Sequence, residues 1–288
     1  MQTRTLGPFT VSAIGLGAMQ LSMSEKPLPD QGQADRTIHA ALDAGITFID
    51  TADIYAPSWD AMGHNEEVVA RALSSWGGDR DSVVVGTKGG ITRGEGGTWG
   101  RDGSAEYLRG AVERSLRRLG VETIDLYQWH RPDRWKVYGD VVQVFADLRA
   151  EGKIKAVGIS NANVEEIEVA LEVLGEGGLA SVQNEYSPRF RSSQDELELC
   201  GRHGIAFLPW SPLGGAGQAS DIGGRYSVFG EVAQAHGVSP QQVVLAWELA
   251  QGEHVIPIPG SSRPESIVDS AAAADLQLSE DELARLSA

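Results

Sequence analysis

Apolar positions along the chain fall into two alternating patterns. Short runs of four to eight residues read as buried strands, and between them apolar residues recur at helical spacing. The strand-like runs are "SAIGLGAM" from Ser12, "ITFID" from Ile46, "VVVGTK" from Val83 and "TIDLYQWH" from Thr123. "IKAVGIS" from Ile154, "LASVQN" from Leu179, "IAFLPW" from Ile205 and "VIPIP" from Val255 complete a set of eight. Stretches such as "QADRTIHAALDAG", "SAEYLRGAVERSLRRLG" and "SSQDELELCGRHG" carry the helical period, and many of them stop at glycine. Before the first of these runs, "TRTLGPFTVS" is two extended pieces about a Gly-Pro turn, a small hairpin.

Strand and helix alternating through eight repeats predict an α/β chain folded as a (β/α)8 TIM barrel with an N-terminal β-hairpin. A length of 288 residues suits one such domain over residues 1–288. An open doubly wound sheet is the competing arrangement. It would place G-x-G-x-x-G after the first strand, and "GLGAMQ" lacks the third glycine.

Charge narrows the partners. Lys and Arg number 24 against 40 Asp and Glu, a net charge of −16. Nucleic acid and anionic membrane surfaces both require a basic face, so neither is expected as a partner. A small-molecule substrate is expected, and the sequence sets no oligomeric state. One cysteine, Cys200, allows no internal disulfide. With an N-terminal stretch lacking an apolar signal core and no run long enough for a membrane span, the expected location is cytoplasmic. The histidines lack paired ligands at metal-binding spacing, so no metal site is expected.

A barrel gathers its chemistry where strands end and the following loops begin. The eight ends bring Met19, then Asp50, Asp53 and Tyr55, Lys88, His130, Ser160 with Asn161, Gln183 with Asn184, Trp210 with Ser211, and Gly260 with Ser261 and Ser262. Buried polar groups cost free energy unless paired, so a polar rim needs a reason. A tyrosine hydroxyl ordinarily holds its proton to a pKa of about 10. Lys88 beside Tyr55 is expected to lower that value, Asp50 to pair with Lys88, and His130 to orient a carbonyl oxygen. Such a site polarises a carbonyl and protonates its oxygen, while hydride must come from a cofactor.

The segments "FIDTADIY", "GTKGG", "YQWHRPD", "GISN", "SVQNEYSP", "PWSPLGG" and "IPIPGSS" stand in an order and spacing that resemble the aldo-keto reductase superfamily. That resemblance implies a barrel that moves hydride between a nicotinamide dinucleotide phosphate and an aldehyde, ketone or alcohol. It implies a catalytic set of Asp50, Tyr55, Lys88 and His130, with Tyr55 as general acid in reduction and base in oxidation. Ser160, Asn161 and Gln183 would hold the carboxamide, and Trp210 would stack on the nicotinamide. Ser211, Leu213 and Gly214 would follow the pyrophosphate, and Gly260, Ser261 and Ser262 would lie near a helix N-terminus suited to phosphate.

Two departures from the family pattern matter. Where many members carry an arginine and then Glu-Asn, this chain has Ser266, Asp269 and Ser270. Arg263 is then the expected partner of a 2′-phosphate, which favours NADPH with NADH as an alternative donor. The second is "APSWDAM" inserted after Tyr55, which makes Trp59 a candidate substrate contact beside Trp99 and Trp129. The glycine-rich "GGITRGEGGTWGRDG" is expected to be mobile, and "LGGAGQASDIGG" to close over the cofactor. A chain ending at "ELARLSA" has no long tail over the pocket, so a fairly open, aromatic-lined pocket is expected. Two other functions share these residues. One is a Schiff-base lyase with Lys88 as nucleophile, and the other is a regulatory protein that binds the cofactor without turnover.

Overall fold

In the computed structural model, which describes residues 1–24, 27–215, 219 and 222–288, the apolar runs become the staves of a barrel. Strands β1 (Thr3–Leu6) and β2 (Phe9–Ser12) pair antiparallel about a turn at Gly7. Then come β3 (Leu16–Gly17), β4 (Phe48–Asp50) and β5 (Val84–Gly89), followed by a loop hairpin of β6 (Ile91–Gly94) and β7 (Thr98–Arg101). The remaining strands are β8 (Ile124–Trp129), β9 (Ile154–Ser160), β10 (Leu179–Gln183) and β11 (Ala206–Phe207). Helices α1 (Gln31–Asp43), α2 (His64–Ser75), α3 (Ala105–Leu119), α4 (Tyr138–Ala150), α5 (Val164–Leu174) and α6 (Gln194–His203) interleave with them. After β11 follow α7 (Ile222–Arg225), α8 (Ser227–His236), α9 (Pro240–Leu249), α10 (Pro264–Ala272) and α11 (Glu280–Ser287).

Seven strands form one parallel sheet in the order β3-β4-β5-β8-β9-β10-β11. The eighth stave is the "VIPIP" segment, and it joins both open edges. Ile256 N–H donates to Phe207 O and Ile258 N–H to Pro209 O, while Pro257 O and Pro259 O accept from Gly15 and Gly17. Two prolines cannot donate, so this stave closes the (β/α)8 barrel through isolated bridges at Val255 and Gly260 rather than a regular ladder.

Side-chain alternation sets the layers. Phe48, Val84, Leu126, Ala156, Ala180, Ala206, Ile256 and Ile258 fill the barrel interior, and Leu6 and Val11 of the β1–β2 hairpin join them. The hairpin fits that closely because residue 7 is glycine: φ is +55°, and a Cβ there would stand 2.6 Å from Ala180 Cβ. The intervening positions, such as Tyr127 and Trp129, face outward into the helical layer. Helix ends follow the local code. Asp30, Ser104 and Ser279 cap α1, α3 and α11, Asn163 and Glu166 form a capping box on α5, and Gly120, Gly204 and Gly237 stop helices in the left-handed region. No helix among the described residues is long and apolar enough to cross a membrane.

Candidate active site

Parallel pairing puts the strand ends side by side. Gly17 of β3 lies opposite Asp50 of β4, Lys88 of β5 opposite Gln128 of β8, and Ser160 of β9 opposite Gln183 of β10. His130 follows β8 directly, its N–H held by Gly89 O at 3.0 Å. Lys88 is fully buried. Its ammonium donates to Asp50 Oδ2 at 2.5 Å, to Thr51 O at 2.8 Å and to the Tyr55 hydroxyl at 3.4 Å. The other Asp50 oxygen accepts from Gln183 Nε2 at 2.8 Å and from Gln128 Nε2 at 3.1 Å. The two buried charges are therefore paired, and the oxygens of Asp50 are occupied, the condition under which burying an ion pair is tolerable.

The three titratable neighbours respond to this environment differently. Burial pulls the Lys88 pKa down, but Asp50 and Tyr55 outweigh it and the net shift is upward, so the ammonium stays charged. Burial raises the Tyr55 pKa above 10.0, and Lys88 offsets only part of that. Lys88 does pull the tyrosine down as expected, but burial, with Asp50 adding to it, outweighs that pull and the net shift is upward. Burial, then Lys88 and Arg131, hold His130 well below 6.5, so the imidazole is neutral. Its ring stands edge-on to Tyr55, with centroids 5.6 Å apart.

A cavity of about 330 Å³ opens onto these groups. Asp50, Tyr55 and His130 line its floor, Ser160, Asn161 and Gln183 one wall, and Trp210, Ser211 and Leu213 another. Asn161 and Ser211 have φ of 58° and 54°, and they are the two non-glycine residues with positive φ among those described. Each such turn costs about 1–3 kcal/mol and persists where surroundings impose it. Asn161 Nδ2 is held by His130 O at 3.0 Å and Ser160 Oγ at 2.9 Å, and Ser160 Oγ donates to Gln183 O at 2.7 Å. The Trp210 indole nitrogen is buried with no partner among the described residues. A second space of about 850 Å³ shares Met19, Gln20, Leu213, Gly215 and Gly260 with the first and runs on over Ser261, Ser262 and Arg263. Together they make an extended trough from the corner at Asp50, Tyr55 and His130 to the start of α10, a shape that fits a dinucleotide.

A model of the Aldo/keto reductase family matches residues 13–288. The chain belongs to that family. It is 37% identical over 272 residues to a 6-dehydroglucose reductase of Novosphingobium aromaticivorans, covering 92% of this chain and 87% of that one. A crystal structure of an aldo-keto reductase from Klebsiella pneumoniae in complex with NADPH has a TM-score of 0.81 at 30% identity, covering 100% of this chain and 95% of that one. The glycerol dehydrogenase of Gluconobacter oxydans has a TM-score of 0.85 at 27% identity, over 99% of this chain and 94% of that one.

Within this aldo/keto reductase several sequence expectations change. Trp129 is 1% exposed, packs at a tilt against Tyr138 in the outer layer and is not among the cavity lining. Strand alternation is the reason: Gln128 and His130 point inward, so Trp129 between them points out. Trp59 lies on a short 3-10 turn against the β6 region, outside the cavity lining, whereas Trp99 lines it. Gly214 turns the chain with φ of 84°, and Gly215 is the residue at the wall. The "GGITRGEGGTWGRDG" loop is the β6–β7 hairpin, pinned by Arg93 Nη1 on Ala56 O at 2.8 Å, with Arg93 stacked 4.9 Å from the Trp99 ring. Of "LGGAGQASDIGG", residues 216–218, 220 and 221 lie outside the described residues. Arg263 is exposed, donates to Ser266 Oγ at 2.8 Å and has Glu265 at 3.6 Å. Asp53 does not line the cavity; burial, then Glu66, hold its carboxyl well above the usual range. Sequence reasoning missed Gln128 and Arg131, and Met19, named only as a strand-end residue, lines the cavity. Gln128 could have been found as a lone amide at an inward position of a buried strand.

Proposed function

We propose that this protein is an NADPH-dependent reductase of aldehydes or ketones, working reversibly as one barrel domain. The single observation that carries the proposal is the Tyr55 hydroxyl at the cavity, 3.4 Å from the Lys88 ammonium and with the His130 ring edge-on at 5.6 Å. When bound, the reduced nicotinamide supplies hydride to the carbonyl carbon. Tyr55 gives its proton to the carbonyl oxygen and regains one from solvent, so aldehyde, NADPH and a proton become alcohol and NADP⁺. In oxidation Tyr55 takes the alcohol proton back. Lys88 stabilises the phenolate of that cycle, and Asp50, held by Gln128 and Gln183, keeps Lys88 in place. With its pKa raised by burial, Tyr55 carries its proton in the neutral range, the form that reduction requires.

The trough supports the cofactor assignment. Trp210 offers a face for the nicotinamide, Ser160, Asn161 and Gln183 offer amide partners, and Arg263 offers a cation for a 2′-phosphate. The Arg263–Glu265 pair is exposed and therefore weak, so a phosphate can replace the carboxylate. The lyase reading finds less support. A Schiff-base lysine needs a free amine, and Lys88 is tied to three acceptors with its pKa raised.

The test is fluorescence titration of the tryptophans with NADPH and with NADH, followed by absorbance assays on carbonyl compounds. Tyr55→Phe is expected to cut kcat about 1000-fold while the NADPH Kd stays within about twofold. Full turnover in Tyr55→Phe would remove the general acid, and no quenching by either dinucleotide would remove the cofactor.

A further inference from the structure

Arg131 follows His130 directly and lines the same cavity as Tyr55. Its neighbours in the surrounding loops are committed. Arg93 donates to Ala56 O at 2.8 Å, Arg101 to Pro132 O at 3.0 Å, and Arg134 stands 3.6 Å from Glu166. Among the described residues no hydrogen bond or ion pair engages the Arg131 guanidinium, although the side chain is half-buried. The charged groups that act on it are Arg101 and Glu185, neither of them within ion-pair distance.

A half-buried cation without a partner has lost hydration and received nothing in return. In a protein of net charge −16, an anion is repelled at long range unless a local cation receives it. The same cavity is also lined by apolar Met23, Ile91 and Trp99. From this we infer that Arg131 binds a carboxylate carried by the carbonyl substrate, so that the preferred substrates are oxo-acids. The planar guanidinium offers two parallel N–H donors to the two carboxylate oxygens. One such group, with Glu185 nearby, suits a monocarboxylate better than a phosphate dianion. The carboxylate anchors while the carbonyl oxygen at the other end meets Tyr55 and His130, and it is unchanged by the reaction. This inference rests on the reductase reading above.

The experiment compares kcat/KM for succinic semialdehyde and butanal, which differ by one carboxylate, with NADPH as donor. The native protein is expected to favour the acid about 10- to 100-fold. In Arg131→Met that ratio is expected to fall at least about tenfold, through the KM of the acid, and Arg131→Lys should fall between, since it keeps charge but loses the fork. The NADPH Kd and melting midpoint report whether each variant is folded. Should Arg131→Met fail to fold, the native ratio and Arg131→Lys decide. A native ratio near one, or a ratio unmoved by the substitutions, overturns the inference and leaves the reductase reading standing. No turnover of either aldehyde by protein that binds NADPH overturns the inference as well, and turnover of other carbonyl compounds then keeps the reductase reading.

Discussion

Asp50 and Glu248 are both carboxylates removed from water, and the protein treats them in opposite ways. At the strand-end rim, Asp50 meets one ammonium and two amides. In the outer layer, Glu248 of α9 is 0% exposed, and neither of its oxygens has a partner among the described residues. Burial alone lifts its pKa well above the ordinary 4.5, so the fold keeps it protonated. The difference is one of supply: Asp50 has an ammonium and two amides arranged around it, and Glu248 has none among the described residues.

Breaking the compensated side should have the larger effect. Lys88→Met leaves Asp50 buried without its cation and is expected to lower the unfolding free energy by about 3–5 kcal/mol in urea titration. Asp50→Asn added to it should recover a good part of that loss, and no recovery would mean the two residues do not act as a pair. Glu248→Gln sharpens the other side. Because the folded pKa is raised, Glu248 contributes its full share below about pH 4.5 and loses stability as pH rises toward its folded value. The loss runs at about 1.4 kcal/mol per pH unit. The Gln variant should therefore melt like the native protein near pH 4.5 and increasingly above it at higher pH. A constant gap across pH would mean that Glu248 has found a charged partner. The smallest change is expected at the far end of the trough, where Arg263→Ala should weaken NADPH about fivefold and leave NADH as it was. Equal Kd values for native and variant would free Arg263 from the phosphate.

Much of this was legible in the sequence where a local pattern forces the outcome. Apolar runs bounded by turns marked the staves, and polar residues at their ends marked the rim. Asp50, Tyr55, Lys88 and His130 do meet at one cavity floor, three of them lining it and Lys88 directly behind Tyr55. What escaped depends on direction and context. Trp129 looked like a pocket residue until alternation turned it outward. The glycine-rich loop concealed a hairpin, because glycine disfavours strands while the Arg101 and Ile91 register still forms one. The balance on Tyr55 could not be read from neighbours alone, since burial outweighs Lys88. Arg131 carries no pattern of its own; only the cavity lining brings it together with Tyr55 and His130.

The closing stave has a consequence for how molecules of this chain meet one another. Before residues 255–260 dock, β3 and β11 are open edges, and an open edge pairs with any strand that offers donors and acceptors. Pro257 and Pro259 present only carbonyls toward Gly15 and Gly17. That side of the segment can cap its own β3 but cannot propagate a ladder into a second copy of itself. The prolines that spoil the regularity of the barrel therefore make its last piece a poor seed for strand exchange and aggregation while the chain is still folding.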